Sequence, residues 1–239
     1  MTLEKIIQIL REEGCTEEEI KEYLEDSEKP TKTHISDVDM VKETGAYAYE
    51  SERHQGEYTV EDYRALPEDL RVELIDGSFF VMDAPSFVHQ DIATEILYQL
   101  KSQIRNNQGR CKVLVAPVDV CLDEDDKTML QPDIVIICDS NKIKKWGIMG
   151  APEFVLEIIS KPTKKKDYYK KMMKYMNAQV QEYWIVDPDR RRLTVYDFKH
   201  EEGPAVYPLA GKRGLSIYQG EISLDLDLIS EAILEYPKE

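Results

Sequence analysis

The sequence runs to 239 residues, with 47 acidic and 31 basic side chains and a formal net charge of −16. So acidic a chain is not a general binder of polyanions, although local cationic patches escape that exclusion. Its apolar fraction of 42% suits a globular protein large enough to bury a full core. No apolar run approaches the length of a membrane span, and residues 3–10 are broken by Glu4, Lys5 and Gln8 where a signal peptide needs an apolar core. The chain is therefore expected in the cytoplasm. Its cysteines, Cys15, Cys111, Cys121 and Cys138, form no CxxC pair and are expected to be packed, reduced thiols.

Residues 1–26 read as a helical hairpin. Leu3, Ile6, Ile7 and Leu10 make one apolar stripe, and Gly14 closes that helix. Thr16 with Glu19 forms a capping box for the next helix, whose apolar face is Ile20, Tyr23 and Leu24. Residues 27–56 are polar, lack a sustained period and read as a linker. The main domain is expected over 57–239. It opens with a short helix capped by Thr59, with Glu61 and Asp62 in its first turn. Two strand-like runs then flank Asp76–Gly77, a strong hairpin signal.

Ser86 starts a long helix in which Val88, Ile92, Ile96, Leu100 and Ile104 recur at helical spacing. A strand region at 111–122 follows, then an acidic loop, DEDDKT, which lacks the glycine and distal glutamate of a calcium loop and reads as a solvated tip. Three apolar strands come next, at 134–138, 154–159 and 183–186, the last forming a hairpin with LTVYDF. Residues 206–209 and 215–218 suggest more sheet, and 226–234 a closing helix.

The chemistry is concentrated around the first two of those three strands. They are almost continuously aliphatic, as expected of strands buried on both faces. Yet Asp133 starts the first, and Glu157 lies inside the second. A carboxylate there is costly unless a cation or a set of donors meets it. Alternation puts Glu157 on one face with Val155 and Ile159, and Asp133 on one face with Val135 and Ile137. If the strands are neighbours, the two acids converge on one divalent ion, with Mg²⁺ favoured by oxygen-only ligands and Mn²⁺ an alternative. Without the ion the two acids repel each other, so Asp133→Asn or Glu157→Gln is expected to leave the fold intact or stabilised.

The basic side chains cluster after the acidic N-terminus, where residues 1–57 hold 16 acids against 7 bases. Lys142, Lys144 and Lys145 form one island; Lys161, Lys164, Lys165, Lys166, Lys170, Lys171 and Lys174 form the next. On an α-helical wheel after Thr163, Tyr168, Met172, Tyr175, Met176 and Gln179 share a face. Lys170 and Lys174 point away from it, while Lys171 sits at its border and could bury its stem. An ordinary surface pair between Asp167 and Lys171, four residues apart, explains the spacing equally well.

In combination, EYTVEDYRALPEDLRVELIDG, His89, QPD, EFVLEIIS, KKKD with Lys171 and Tyr175, and EYWIVDP closely resemble the restriction-endonuclease family of the PD-(D/E)xK nuclease superfamily. The resemblance runs from about residue 57 to 198. It implies an α/β fold with a restriction-endonuclease-like core: a central mixed β-sheet flanked by helices, to which the N-terminal helical hairpin is appended. It implies Mg²⁺ at Asp133 and Glu157, a place for Glu73 of ELIDG in the same site, and an accessory role for His89. The lysine usual two residues after the glutamate is replaced by Ile159; Lys171 matches the displaced position, with Lys161 the nearer alternative in sequence. Gln179 stands where the family usually has glycine.

Two functions follow. One is a Mg²⁺-dependent endonuclease hydrolysing DNA phosphodiester bonds, expected as a homodimer because cutting a duplex takes two sites. The other is a catalytically inactive nuclease fold retained as a binding or assembly module, which the acidity and the missing ExK lysine favour. Neither reading calls for a membrane.

Overall fold

The computed structural model describes residues 54–67, 70–122, 126–160, 166–200 and 203–234, with residues 7, 8, 11, 16–18, 20 and 21 of the N-terminal segment. The elements, in order, are α1 (Val60–Ala65), β1 (Val72–Ile75), β2 (Ser78–Val81), α2 (Phe87–Asn106), β3 (Lys112–Val115), β4 (Asp119–Cys121), β5 (Met129–Leu130) and β6 (Ile134–Ile137). After them come β7 (Gly147–Met149), β8 (Phe154–Ile158), a π-helical segment (Lys166–Lys171), α3 (Met172–Asn177), β9 (Glu182–Asp187), β10 (Arg192–Asp197), β11 (Ala205–Pro208), β12 (Lys212–Gly214), β13 (Ser223–Asp225) and α4 (Leu226–Leu234). The chain divides into two compact units, residues 1–83 with 123–130, and residues 84–122 with 131–239.

In the first unit, Thr59 and Asp62 cap α1 reciprocally: the Asp62 carboxylate accepts from the Thr59 amide at 2.7 Å, and the Thr59 hydroxyl accepts from the Asp62 amide. The β1–β2 hairpin closes through Asp76 at φ 51° and Gly77 at φ 73°, the two left-handed residues that a tight primed turn needs. A side chain on Gly77 would meet the Gly56 carbonyl at 2.5 Å, so glycine is required twice over. β1 also pairs with β5 through Leu74 and Met129. The helical hairpin expected over 1–26 lies largely outside the described residues. Of those described, Ile7, Gln8 and Arg11, then Glu17, Glu18, Ile20 and Lys21, are helical. Ile20 is buried. Most of the expected linker, and residues 123–125 of the acidic loop, likewise lie outside them.

The second unit is built on a sheet of order β11-β10-β9-β8-β6-β3. Only β8 and β9 run parallel; the other pairs are antiparallel, which makes the sheet mixed as expected. The parallel pair demands a crossover, and the helical stretch at 166–177 supplies it. Ser86 caps α2 by accepting from the His89 amide, as its position before the apolar period implies. Ile92, Ile96, Leu100 and Ile104 of that helix pack against Ile134, Ile136, Leu156, Trp184 and Val186 on one face of the sheet. The opposite face is aromatic. Tyr175 lies 4.9 Å from Tyr183, which lies 5.7 Å from Tyr196 between ring centroids. Both β6 and β8 are buried along their whole length.

Three expectations need correction. Cys111 and Cys138 form a disulfide, 27 residues apart. The antiparallel register that pairs Lys112 with Ile137 makes those two cysteines the next pair along, so sheet adjacency brings together what sequence spacing keeps apart. Cys121 is a buried thiol outside the disulfide, as expected; Cys15 lies outside the described residues. The expected strand at 215–218 is a single 3-10 turn, Ser216–Tyr218, closed by Gln219 at φ 54°. Lastly, the stretch before Met172 winds as a π-helix, so a wheel drawn at α-helical pitch misphases its residues. Among the described residues no helix is long and apolar enough to cross a membrane.

Candidate active site

Asp133 directly precedes β6, and the register that pairs Ile134 with Leu156 makes Glu157 its counterpart one step beyond the ladder. Counterparts across neighbouring strands hold their side chains about 5 Å apart on one face. The Asp133 carboxylate is fixed from two sides. Its Oδ2 accepts the Ile158 amide at 2.7 Å and lies 3.1 Å from His89 Nε2, in the first turn of α2. Its main-chain carbonyl accepts from the Ala116 amide at 2.9 Å. Among the described residues nothing hydrogen-bonds its Oδ1, leaving one hard oxygen on a carboxyl group that is only 13% exposed.

Glu157 is held from the helical side. Its Oε1 accepts from Lys171 Nζ at 2.9 Å and from the Tyr175 hydroxyl at 2.8 Å. The Lys171 side chain is 3% exposed and that of Glu157 4%, so both charges of this pair are out of water. Lys171 was expected at the border of the packed face, with Asp167 as a competing partner; its ammonium instead meets a strand residue 14 positions earlier. The Asp167 side chain lies outside the described residues. Burying an ion pair rarely adds stability over an apolar pair of equal volume, because desolvation offsets the attraction. A buried Lys–Glu pair beside a second strand carboxylate therefore calls for a functional explanation.

Of the other candidates, Glu73 belongs to the first unit, where it is wholly buried in β1 opposite Phe80. Lys161 lies outside the described residues. The second unit thus gathers His89, Asp133, Glu157 and Lys171. Tyr175 was placed on the packed face and beside Lys171 in the motif but was assigned no role in the site; its hydroxyl is the second donor to Glu157. No group of three or more histidine, cysteine, aspartate or glutamate side chains is arranged to hold a metal among the described residues. Among the described residues the donor chemistry nevertheless fits a hard divalent ion: the site offers carboxylate oxygens and no thiolate.

A serine, a histidine and an aspartate also meet elsewhere, and they do not make a nucleophile. Ser216 Oγ lies 2.6 Å from Asp197 Oδ2 and 3.3 Å from His200 Nδ1, the same nitrogen that lies 2.8 Å from Asp197. A hydrolytic triad needs serine and aspartate on opposite ring nitrogens. Burial pushes the Asp197 carboxyl up, but hydrogen bonds from Ser216 and His200 outweigh it and hold the group below its ordinary range. The cluster anchors the 3-10 turn.

A family profile described as "Putative restriction endonuclease" matches residues 60–218, well over half the chain. The chain belongs to the Uma2 family. Its match spans α1 through the Ser216–Tyr218 turn and so includes every candidate site residue. A crystal structure from Anabaena variabilis ATCC 29413, described as a "putative nuclease belonging to DUF820", superposes with a TM-score of 0.62 at 19% identity. That likeness covers 74% of this chain and 99% of the other, and it shows the restriction-endonuclease-like fold. No curated protein matches the chain. Membership of Uma2 supports a nuclease function, a nucleic-acid substrate and the divalent-metal chemistry general among such nucleases.

Proposed function

We propose that this Uma2 protein is a Mg²⁺-dependent endonuclease that hydrolyses DNA phosphodiester bonds, with Asp133 and Glu157 as metal ligands and Lys171 assisting. The observation that carries it is the buried Lys171 ammonium on Glu157 Oε1, beside the strand that Asp133 directly precedes. Bound there, the metal would polarise a phosphate and lower the pKa of a water nucleophile. His89 and the Ile158 amide hold Asp133 by Oδ2, so Oδ1 would be the ligand atom. Lys171, preorganised by Glu157 and kept from water, offers a fixed positive charge to the developing phosphorane oxygens. Tyr175 donates to the same oxygen and helps to hold the carboxylate's orientation. Glu73 is a candidate through the ELIDG motif alone. Mn²⁺ should substitute for Mg²⁺, and a homodimer would supply two such centres for a duplex.

A second reading is a binding or assembly module that has lost catalysis. It is favoured by the absence of a preformed three-group metal cluster among the described residues and by the two donors already on Glu157. Thermal unfolding in the presence of metal separates the two. A metal bound only by the native state at a hundred times its Kd adds about 2.7 kcal/mol of stability. Millimolar Mg²⁺ or Mn²⁺ is therefore expected to raise the Tm by several degrees, and Asp133→Asn to abolish the rise. An unchanged Tm in wild type at every metal concentration would favour the binding module.

A further inference from the structure

Between β6 and β8 the chain forms a small hairpin. The Lys144 amide donates to the Gly147 carbonyl at 2.8 Å, the Gly147 amide returns a longer bond at 3.4 Å, and Ile143 bridges Ile148. Lys145 and Trp146 are thereby set at the tip. The tip is also anchored, because β7 pairs in parallel with β4 and Gly147 faces Asp119. A side chain at Gly147 would lie 2.3 Å from the Asp119 carbonyl, so only glycine permits this approach. An exposed indole on a braced turn is a preorganised surface.

The tip overhangs a cleft of about 440 Å³, lined by Lys144, Lys145, Trp146, Val118, Asp119 and Gln131 among others. That volume lies within the usual range for small-molecule sites and takes a single nucleotide. Gln131 stands two residues before Asp133, and its amide donates to Asp119 Oδ1 at 3.0 Å across the cleft floor. Pro117 and Val118 of its wall follow Ala116, whose amide donates to the Asp133 carbonyl. The cleft therefore shares its backbone supports with the candidate centre. Its chemistry is divided: two lysines and an indole at the rim, and an acid with an amide at the floor. A phosphate belongs at the rim, and a base, whose N–H edge suits the Asp119 carboxylate, belongs within.

We propose that this cleft holds one unstacked nucleotide of a DNA strand, its base against the Trp146 indole and its phosphate on Lys144 and Lys145. The inference rests on the nuclease reading for the identity of the strand. It assigns substrate positioning to a turn outside the catalytic carboxylates, and it gives this acidic protein a local cationic, aromatic platform of the kind that tracks single strands.

The chain contains 2 tryptophans, and Trp184 is wholly buried while Trp146 is 37% exposed, so quenching by added DNA reports on Trp146. The full chain is titrated with a short single-stranded oligonucleotide in EDTA, which prevents cleavage, and binding is followed by tryptophan emission and by anisotropy of a labelled strand. Single-stranded DNA should quench wild type. Trp146→Ala should weaken binding about tenfold, and Trp146→Phe, which still stacks, should restore most of it. Lys144→Ala and Lys145→Ala should each lower the slope of log K against log salt by about 0.7. Wild-type binding unchanged by all these substitutions, or no binding by wild type, overturns the proposal. Loss of metal-dependent cleavage on every DNA, with Trp146-dependent binding intact, would defeat only the catalytic reading. A Trp146→Ala variant that binds and cleaves as wild type would defeat only this one.

Discussion

Lys171→Ala is expected to lower DNA cleavage by about 10²–10³, the usual cost of removing one preorganised electrostatic stabiliser. Its ammonium is buried, with Nζ 2.9 Å from Glu157 Oε1, so no neighbouring lysine can replace it without unfolding the crossover. Metal affinity should hold or rise, because a positive charge leaves the vicinity of a ligand. Lys170→Ala is the control. That residue is partly exposed and should produce only a small, salt-dependent loss of DNA affinity. Single-turnover kinetics, taken well below each variant's Tm, separate the cases. Equal damage from the two substitutions contradicts the assignment, and an inactive Lys161→Ala beside an active Lys171→Ala transfers the role to Lys161.

The carboxylates should part company in stability while agreeing in metal binding. Asp133→Asn retains an acceptor for the Ile158 amide and should fold normally. Glu157→Gln keeps an acceptor for Lys171 and Tyr175 but removes the counter-charge of a buried ammonium. Breaking such a pair outright costs about 3–5 kcal/mol, so Glu157→Ala should approach that loss and Glu157→Gln fall short of it. Mutual repulsion of the two acids had suggested that either neutral variant would be unharmed or stabilised. Lys171 reverses that expectation for Glu157, since the charge is already balanced. The double variant Glu157→Gln/Lys171→Met should recover much of the lost stability without recovering metal binding. Denaturant unfolding and calorimetry read the two effects separately. A Glu157→Gln protein as stable as wild type would mean that the pair is not buried in solution.

The strands that carry the candidate site were legible because burial on both faces leaves near-continuous aliphatic runs, in which Asp133 and Glu157 stand out. Local signals also read through: Ser86 and Thr59 as caps, and Asp76–Gly77 as a turn. What escaped depends on distant partners or on helix pitch. The Tyr175–Glu157 hydrogen bond spans 18 residues, and the Cys111–Cys138 bridge follows from a register that periodicity does not encode. The π-helical segment is invisible to a pattern rule written for 3.6 residues per turn. Lys171 was singled out by motif position, but its burial against Glu157 required the fold.

The most direct measurement is cleavage of supercoiled, linear and single-stranded DNA by wild type and Asp133→Asn side by side, with Mg²⁺, with Mn²⁺ and with EDTA. The account predicts nicked or linear product from wild type with either metal, none in EDTA and none from Asp133→Asn. Cleavage that persists in Asp133→Asn at the wild-type rate, or wild type that cuts no DNA with either metal, would contradict it.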